Sequence, residues 1–229
     1  MDASSGRVLA SSGDDPTRPA PAGSLVKPFT ALAYAGANRY TYPTVTCRGT
    51  EGRCWLPQGH GTIGIVQAIA ESCNAYFHHL AAHLAPEIFA STLRWFGLTA
   101  GAASVSPDAM VGLGDDLPVS PISIARAYAE LARRGNQPGV APLLQGMRNA
   151  ARTGTGRGVG EAGPLADALV KTGTSPCDHD PRATADGHTV VVYPADRPRV
   201  VLVVRAHGRT GSETAVLAGR LLARLPGAR

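Results

Sequence analysis

Ser24 and Lys27, three residues apart in "GSLVKPF", are the first side chains whose types and spacing allow them to do chemistry together. On a helix, residues at i and i+3 share a face, which brings an amine within hydrogen-bond reach of a hydroxyl. A serine hydroxyl is a weak nucleophile until a neighbouring base takes its proton. Lysine can be that base only where burial or nearby cations lower its pKa. Arginine stays protonated and cannot replace it. Of 22 Lys and Arg residues only Lys27 and Lys171 are lysines, so this chain keeps the titratable amine at two places. Lys171 opens "KTGT", in which Gly173 lets another backbone approach closely and Thr172 and Thr174 flank it on one strand face. Between the two lysines, "SCN" puts Ser72 and Asn74 at a polar break in an apolar helical pattern. S-x-x-K alone is a frequent accident. Three motifs in order, with 48 residues from Ser24 to Ser72 and 99 from Ser72 to Lys171, describe one site.

That order resembles the active-site serine transpeptidases and β-lactamases, and the chain as a whole is similar to the transpeptidase domain of penicillin-binding proteins. The likeness runs through "DASSGRVLASSGDDPTRPAPAGSLVKPFTAL", "GHGTIGIVQAIAESCNAYFHHLA" and "LPVSPISIARAYAELARRG", and is weakest after Ser175. It implies that Ser24 is the acylated nucleophile and Lys27 its general base. Ser72 relays a proton to the leaving amine, Asn74 holds the substrate amide and Lys171 supplies positive charge. Thr172 and Thr174, around Gly173, bind the substrate's terminal carboxylate, and the Ser24 and Thr174 N–H groups form the oxyanion hole. The implied activity is a serine acyltransferase, a D,D-transpeptidase or D,D-carboxypeptidase. It acts on D-Ala-D-Ala peptidoglycan stem peptides through an acyl-enzyme, is acylated by β-lactams, and needs neither cofactor nor metal. A β-lactamase of the same fold is one alternative. None of the six glutamates lies in an E-x-x-L-N context, whereas a carboxylated Lys27 stays open. A sensor of β-lactams or muropeptides without turnover, or an envelope scaffold, is the other. Family members act outside the cytoplasmic membrane, usually on an N-terminal anchor, and this chain shows neither anchor nor signal segment. The pattern departs from the family at Val170, where glycine is usual, and in "SPCDHDPRATADGHTVVV", where an aromatic segment is expected.

The elements that must position these residues are legible from periodicity and breakers. "GRVLA" (6–10) predicts a short strand, and the proline-rich run after it ends in a helix opening at Ser24 and running to about residue 35. Residues 62–84 read as helix interrupted at "ESCN", with further helices near 87–96 and 121–134. "RTGTGRGVGEAG" predicts a flexible loop. "ALVKTGTS", "HTVVVYP" and "RVVLVVRA" predict strands of one antiparallel sheet, and "SETAVLAGRLLARL" a last helix capped by Ser212. The expected fold is α+β: an antiparallel β-sheet covered by helices, with an inserted all-helical lobe, in a single transpeptidase-like domain spanning 1–229. The sheet lobe takes about 1–23 and 165–229, and the helical lobe about 24–164.

Composition excludes other classes. The net charge of +5 comes from scattered arginines, with no basic run interleaved with aromatics, so nucleic acid is not the expected partner. No stretch of 18 apolar residues exists. Cys47 and Cys54 in "TCRGTEGRCW" are close enough to form a disulfide, the alternative being two free, half-buried thiols. Cys73 and Cys177 adjoin motif residues, and either pair across the cleft or remain free. His60 in "GHG" is expected to cap or brace its loop. His79, His83 and Glu87 recur every four residues, but Pro86 is expected to end their helix, and "CDHD" (177–180) reads as a polar turn.

Overall fold

The computed structural model describes residues 1–98, 105–114, 117–162, 167–177 and 185–225. The chain begins with β1 (Ala20–Pro21), a 3-10 turn (Gly23–Val26) and α1 (Lys27–Ala37), followed by β2 (Val45–Cys47), a second 3-10 turn (Gly49–Gly52) and β3 (Gly61–Ile63). Helices α2 (Ile65–Ala70), α3 (Asn74–Ala82), α4 (Pro86–Trp95) and α5 (Pro107–Val111) come next, then β4 (Pro118–Val119), α6 (Pro121–Arg133), α7 (Ala141–Arg152) and α8 (Arg157–Gly160). Strands β5 (Leu169–Ser175), β6 (Asp186–Tyr193) and β7 (Val200–His207) and helix α9 (Gly211–Leu222) complete it.

β5, β6 and β7 form one antiparallel sheet in sequence order, with Lys171 opposite Val190 and Gly173 opposite His188. The central strand β6 is buried at every position but the last, because helices cover both of its faces. α9 packs across all three strands and α7 lies against β5, while α6 packs on β6 and β7 from the other side. The period of two sorts the strand residues. Val170 and Val191 join Ala150, Val159, Ala215, Ala218 and Leu222 under α7–α9, whereas Leu169, Val190 and Val192 join the larger core with Phe29 and Tyr128. Lys171, two residues after Leu169 and opposite Val190, therefore turns toward the face of the larger core.

α6 shows how local chemistry and packing agree. The Ser120 hydroxyl accepts the Ser123 N–H at 3.2 Å, Pro121 occupies the first turn, and Ile124, Ala127, Tyr128 and Leu131 form its buried face. From that face the Tyr128 hydroxyl donates to the Leu25 carbonyl at 2.7 Å, tying α6 to the turn that carries Ser24. Tyr128→Phe strands that buried carbonyl, and we expect a loss of about 1–3 kcal/mol, read as a lower urea midpoint at unchanged m-value.

Three expectations are corrected. Residues 6–10 form no strand: Gly6 turns the chain at φ +68° and the Asp2 N–H donates to Arg7 O at 2.8 Å, leaving Val8 and Leu9 exposed. The free edge of β7 is met instead by residues 1–3, through an Asp2–Val200 bridge and an Ala3 N–H to Arg199 O bond of 2.9 Å. The glycine-dense stretch after α7 is not all loop, because Arg157–Gly160 forms a helical turn packed on α9. Finally, α9 is capped by Thr210, not Ser212, since Thr210 and Glu213 make a reciprocal capping box. The break at "ESCN" and the helix starting at Pro86 fall where expected.

Candidate active site

The turn that carries Ser24 is tighter than the expected helix. Gly23–Val26 wind as a 3-10 turn, and the Lys27 N–H donates to the Ser24 carbonyl. In that geometry side chains at i and i+3 eclipse, so Ser24 and Lys27 rise from one edge. Ser24 keeps 8% of its surface exposed and Lys27 none.

The Lys27 amine crosses to the break between α2 and α3. It donates to Ser72 O at 2.8 Å, to Asn74 Oδ1 at 2.6 Å and to Ser72 Oγ at 3.3 Å. Ser72 sits at φ +52°, a left-handed conformation uncommon for a residue with a side chain. That conformation presents both its carbonyl and its hydroxyl to the same amine. From the sheet, Lys171 Nζ donates to Ser72 Oγ at 2.8 Å and to Thr172 O at 2.7 Å. One hydroxyl thus bridges two amines that lie 144 residues apart in sequence.

Both amines are fully buried, and burial disfavours their charged forms. Burial brings the Lys27 pKa down to about 7, although Cys73 and Cys54 act in the opposite sense. Lys171 is pushed well below its ordinary value by burial first and by the charge of Lys27 second. As an ammonium, Lys27 donates all three of its bonds. The neutral amine has two N–H groups for Ser72 O and Asn74 Oδ1 and keeps a lone pair, the property a general base requires, so that the longer 3.3 Å contact no longer takes an amine proton.

The sheet meets the Ser24 turn through Gly173. A Cβ there would stand 3.1 Å from both Ala22 O and Ser24 N, so the backbone of the Ser24 turn lies directly on β5. The two threonines around Gly173 differ. Thr172 is buried with its hydroxyl 2.6 Å from that of Thr155, a residue sequence reasoning did not single out. Thr174 is exposed, and its hydroxyl accepts the Gly211 N–H at 3.0 Å. Of the pair, Thr174 is the exposed residue.

Cys47 and Cys54 are free thiols, so the disulfide considered for them is not present, and Cys73 and Cys177 are unpaired as well. Cys73 stands 3.8 Å from Cys54, and Cys177 lies 3.9 Å from His207 Nδ1. His60 does more than brace its loop: its Nδ1 is 3.5 Å from the sulfurs of both Cys47 and Cys54. The ligand atoms of Cys47, Cys54, His60 and Cys73 all lie within 4.8 Å of one another. A second such set, Cys177, Asp186 and His207, has its carboxylate already paired with Arg205 and His207. Residues 178–180 of "CDHD" lie outside the described residues, as do residues up to 184 in the segment where the family pattern departs.

The family model described as the penicillin binding protein transpeptidase domain matches residues 1–225. The chain belongs to that family. Solved structures similar to this transpeptidase domain include PBP2 of Pseudomonas aeruginosa in complex with WCK 5153. That structure is 22% identical, at a TM-score of 0.73 over 89% of this chain and 58% of that one. The transpeptidase domain of penicillin-binding protein 3 from Burkholderia pseudomallei is 18% identical, at a TM-score of 0.72 over 99% of this chain and 88% of that one. Penicillin-binding protein A of M. tuberculosis, solved as a ceftriaxone acyl-enzyme complex, is 20% identical, at a TM-score of 0.68 over 89% and 59%. The domain thus shares their fold of helices on an antiparallel sheet while spanning little more than half of the P. aeruginosa chain. No curated protein sequence matches it. Among the described residues of this transpeptidase domain, no helix is long and apolar enough to cross a membrane.

Proposed function

We propose that the chain is a serine acyltransferase, a D,D-transpeptidase or D,D-carboxypeptidase, whose Ser24 is acylated by D-Ala-D-Ala peptidoglycan stem peptides and by β-lactams. The observation that carries this reading is the convergence of the Lys27 and Lys171 amines on the Ser72 hydroxyl, beside the turn that carries Ser24, which keeps 8% of its surface accessible. Ser24 Oγ attacks the scissile carbonyl as its proton passes to the neutral Lys27 amine, and the C–O bond forms as the carbonyl becomes an oxyanion. The N–H groups of Ser24 and Thr174, on two backbones in contact, receive that charge. Collapse of the intermediate breaks the C–N bond, and Ser72 hands a proton to the departing D-alanine amine, drawing a replacement from the lysine beside it. An amine or water then attacks the acyl-enzyme by the reverse path. Asn74, held by Lys27, is placed for the substrate amide, and Thr174 for the terminal carboxylate. Extracytoplasmic action on a membrane tether, as the family likeness suggests, is part of the same proposal.

A β-lactamase must activate water for rapid deacylation. Among the described residues no carboxylate hydrogen-bonds Lys27, Ser72 or Lys171, which favours a long-lived acyl-enzyme. The experiment is mass spectrometry after incubation with a labelled penicillin. We expect one persistent adduct on the peptide carrying Ser24, and none in Ser24→Ala at unchanged circular dichroism. A folded wild-type chain that stays unmodified removes the reading. An adduct without D,D-peptide turnover leaves a sensor, and rapid release of the adduct leaves a β-lactamase.

A further inference from the structure

We propose that Cys47, Cys54, His60 and Cys73 form a tetrahedral site for one zinc ion, which clamps the β2–β3 hairpin onto the turn that carries Ser72. A zinc ion takes sulfur at about 2.3 Å and imidazole nitrogen at about 2.0 Å, so a regular tetrahedron has S···S edges of about 3.8 Å and S···N edges of about 3.5 Å. The structure has a Cys54–Cys73 separation of 3.8 Å and Cys47–His60 and Cys54–His60 separations of 3.5 Å. Three of the six edges thus match the spacing the ion demands, and all four ligand atoms lie within 4.8 Å of one another, before any ion is placed.

The surroundings agree. All three cysteines are buried, at 3%, 5% and 0% exposure. Backbone N–H groups of Leu56, Asn74 and Ala75 are directed at the Cys54 sulfur, the last two from the first turn of α3, where helix N–H groups lack intrahelical partners. Three soft sulfur donors and one imidazole select zinc over magnesium or calcium. A disulfide would consume two of the four ligands and leave a third thiol and an imidazole aimed at the same point. The spacing C-x6-C-x5-H-x12-C escapes motif reasoning, because Cys73 comes from a different element and sits inside the "SCN" of the active site.

That position gives the metal its consequence. Cys73 lies between Ser72 and Asn74, the two residues that receive the Lys27 amine, and a ligated Cys73 pins the left-handed turn at Ser72 from behind. The role is positional, since no ligand touches Ser24. Binding ionises the thiols and releases their protons to solvent, so occupancy falls as pH falls.

The test is metal analysis of the chain purified without chelators, followed by cobalt substitution. One equivalent of zinc is expected, together with a thiolate-to-cobalt charge-transfer band of three-sulfur intensity and the strong visible bands of a tetrahedral centre. Cys54→Ser and His60→Ala should each weaken zinc binding at least tenfold, and Cys177→Ser should leave it unchanged. A chain without zinc and without a tetrahedral cobalt spectrum overturns the proposal, as does a native Cys47–Cys54 disulfide or full zinc content in both ligand variants. Should the variants fail to fold, the wild-type cobalt spectrum decides alone: fewer than two thiolates, or an octahedral spectrum, refutes the site. Neither readout depends on acylation, so this result stands or falls apart from the proposed activity.

Discussion

Lys27→Arg should lower the rate of β-lactam acylation at least 10²-fold, the lower end of what a positioned general base contributes. Arginine keeps the positive charge and donates hydrogen bonds as lysine does, so a purely electrostatic or structural role for Lys27 would survive the change. Proton acceptance would not, because a guanidinium does not release its proton near neutral pH. The site is tight: Lys27 is fully buried and its amine lies 5.3 Å from the centre of the Phe77 ring. A larger head group therefore carries a risk of misfolding. Lys27→Met keeps the length of the stem without an amine and serves as the second variant, with thermal melts run on both. The pH profile gives an independent check. Burial lowers the Lys27 pKa to about 7, and the neutral amine is the active form. The wild-type acylation rate should therefore rise as pH passes through about 7 and level off above it, a limb that both variants lose. Wild-type acylation that is flat from acid to mild base would remove Lys27 from the role of base.

Gly112→Ala should slow acylation at least tenfold although residue 112 takes no part in the chemistry. Gly112 ends α5 at φ +75°, a conformation that costs an alanine about 1–2 kcal/mol. An added methyl there would also fall 2.1 Å from Gly23 O and 2.8 Å from Ser24 N. Neither contact is tolerable, so the backbone of the Ser24 turn must move away, taking the Ser24 N–H and hydroxyl with it. The turn has little room to yield, because Gly173 of β5 presses on it from the other side and Tyr128 holds Leu25 O. The measurements are acylation kinetics beside a thermal melt. The φ cost alone corresponds to a fall in Tm of roughly 2–8 °C for a domain of this size. A variant melting lower but acylating at the wild-type rate would show that the turn is held by other contacts.

The candidate site residues were legible because they lie in short, local patterns. S-x-x-K, S-x-N and K-T-G each fix a spacing of two or three residues that a helix or strand turns into a shared face. Strand content was legible for a similar reason, since "HTVVVY" holds four β-branched residues in a row and is too short for a buried helix. Helix α7 was not. Its apolar residues Leu143, Met147, Ala150 and Ala151 are diluted by Gln145, Gly146, Arg148 and Asn149, and Gly146 reads as a breaker. It is helical because Gly146 lets α2 pack closely, its missing Cβ position being 2.7 Å from Ile69 Cβ. Propensity was overruled by packing there. The reverse happened at 6–10, where an apolar run found no edge to join and was left in solvent.

By itself the sequence determined which hydroxyl and which amines are available, the order in which they occur, and the helical or extended character of most segments carrying them. Those properties depend on neighbours within a few residues. Only the tertiary structure decided that Lys27 and Lys171 share one hydroxyl, that Thr172 is buried against Thr155 while Thr174 stays exposed, and that the ligand atoms of four residues from "TCRGTEGRC", "GHG" and "SCN" come within 4.8 Å of one another. Each of these depends on where burial of a whole helix face or sheet face places distant segments, and that placement is set by the packed core as a unit.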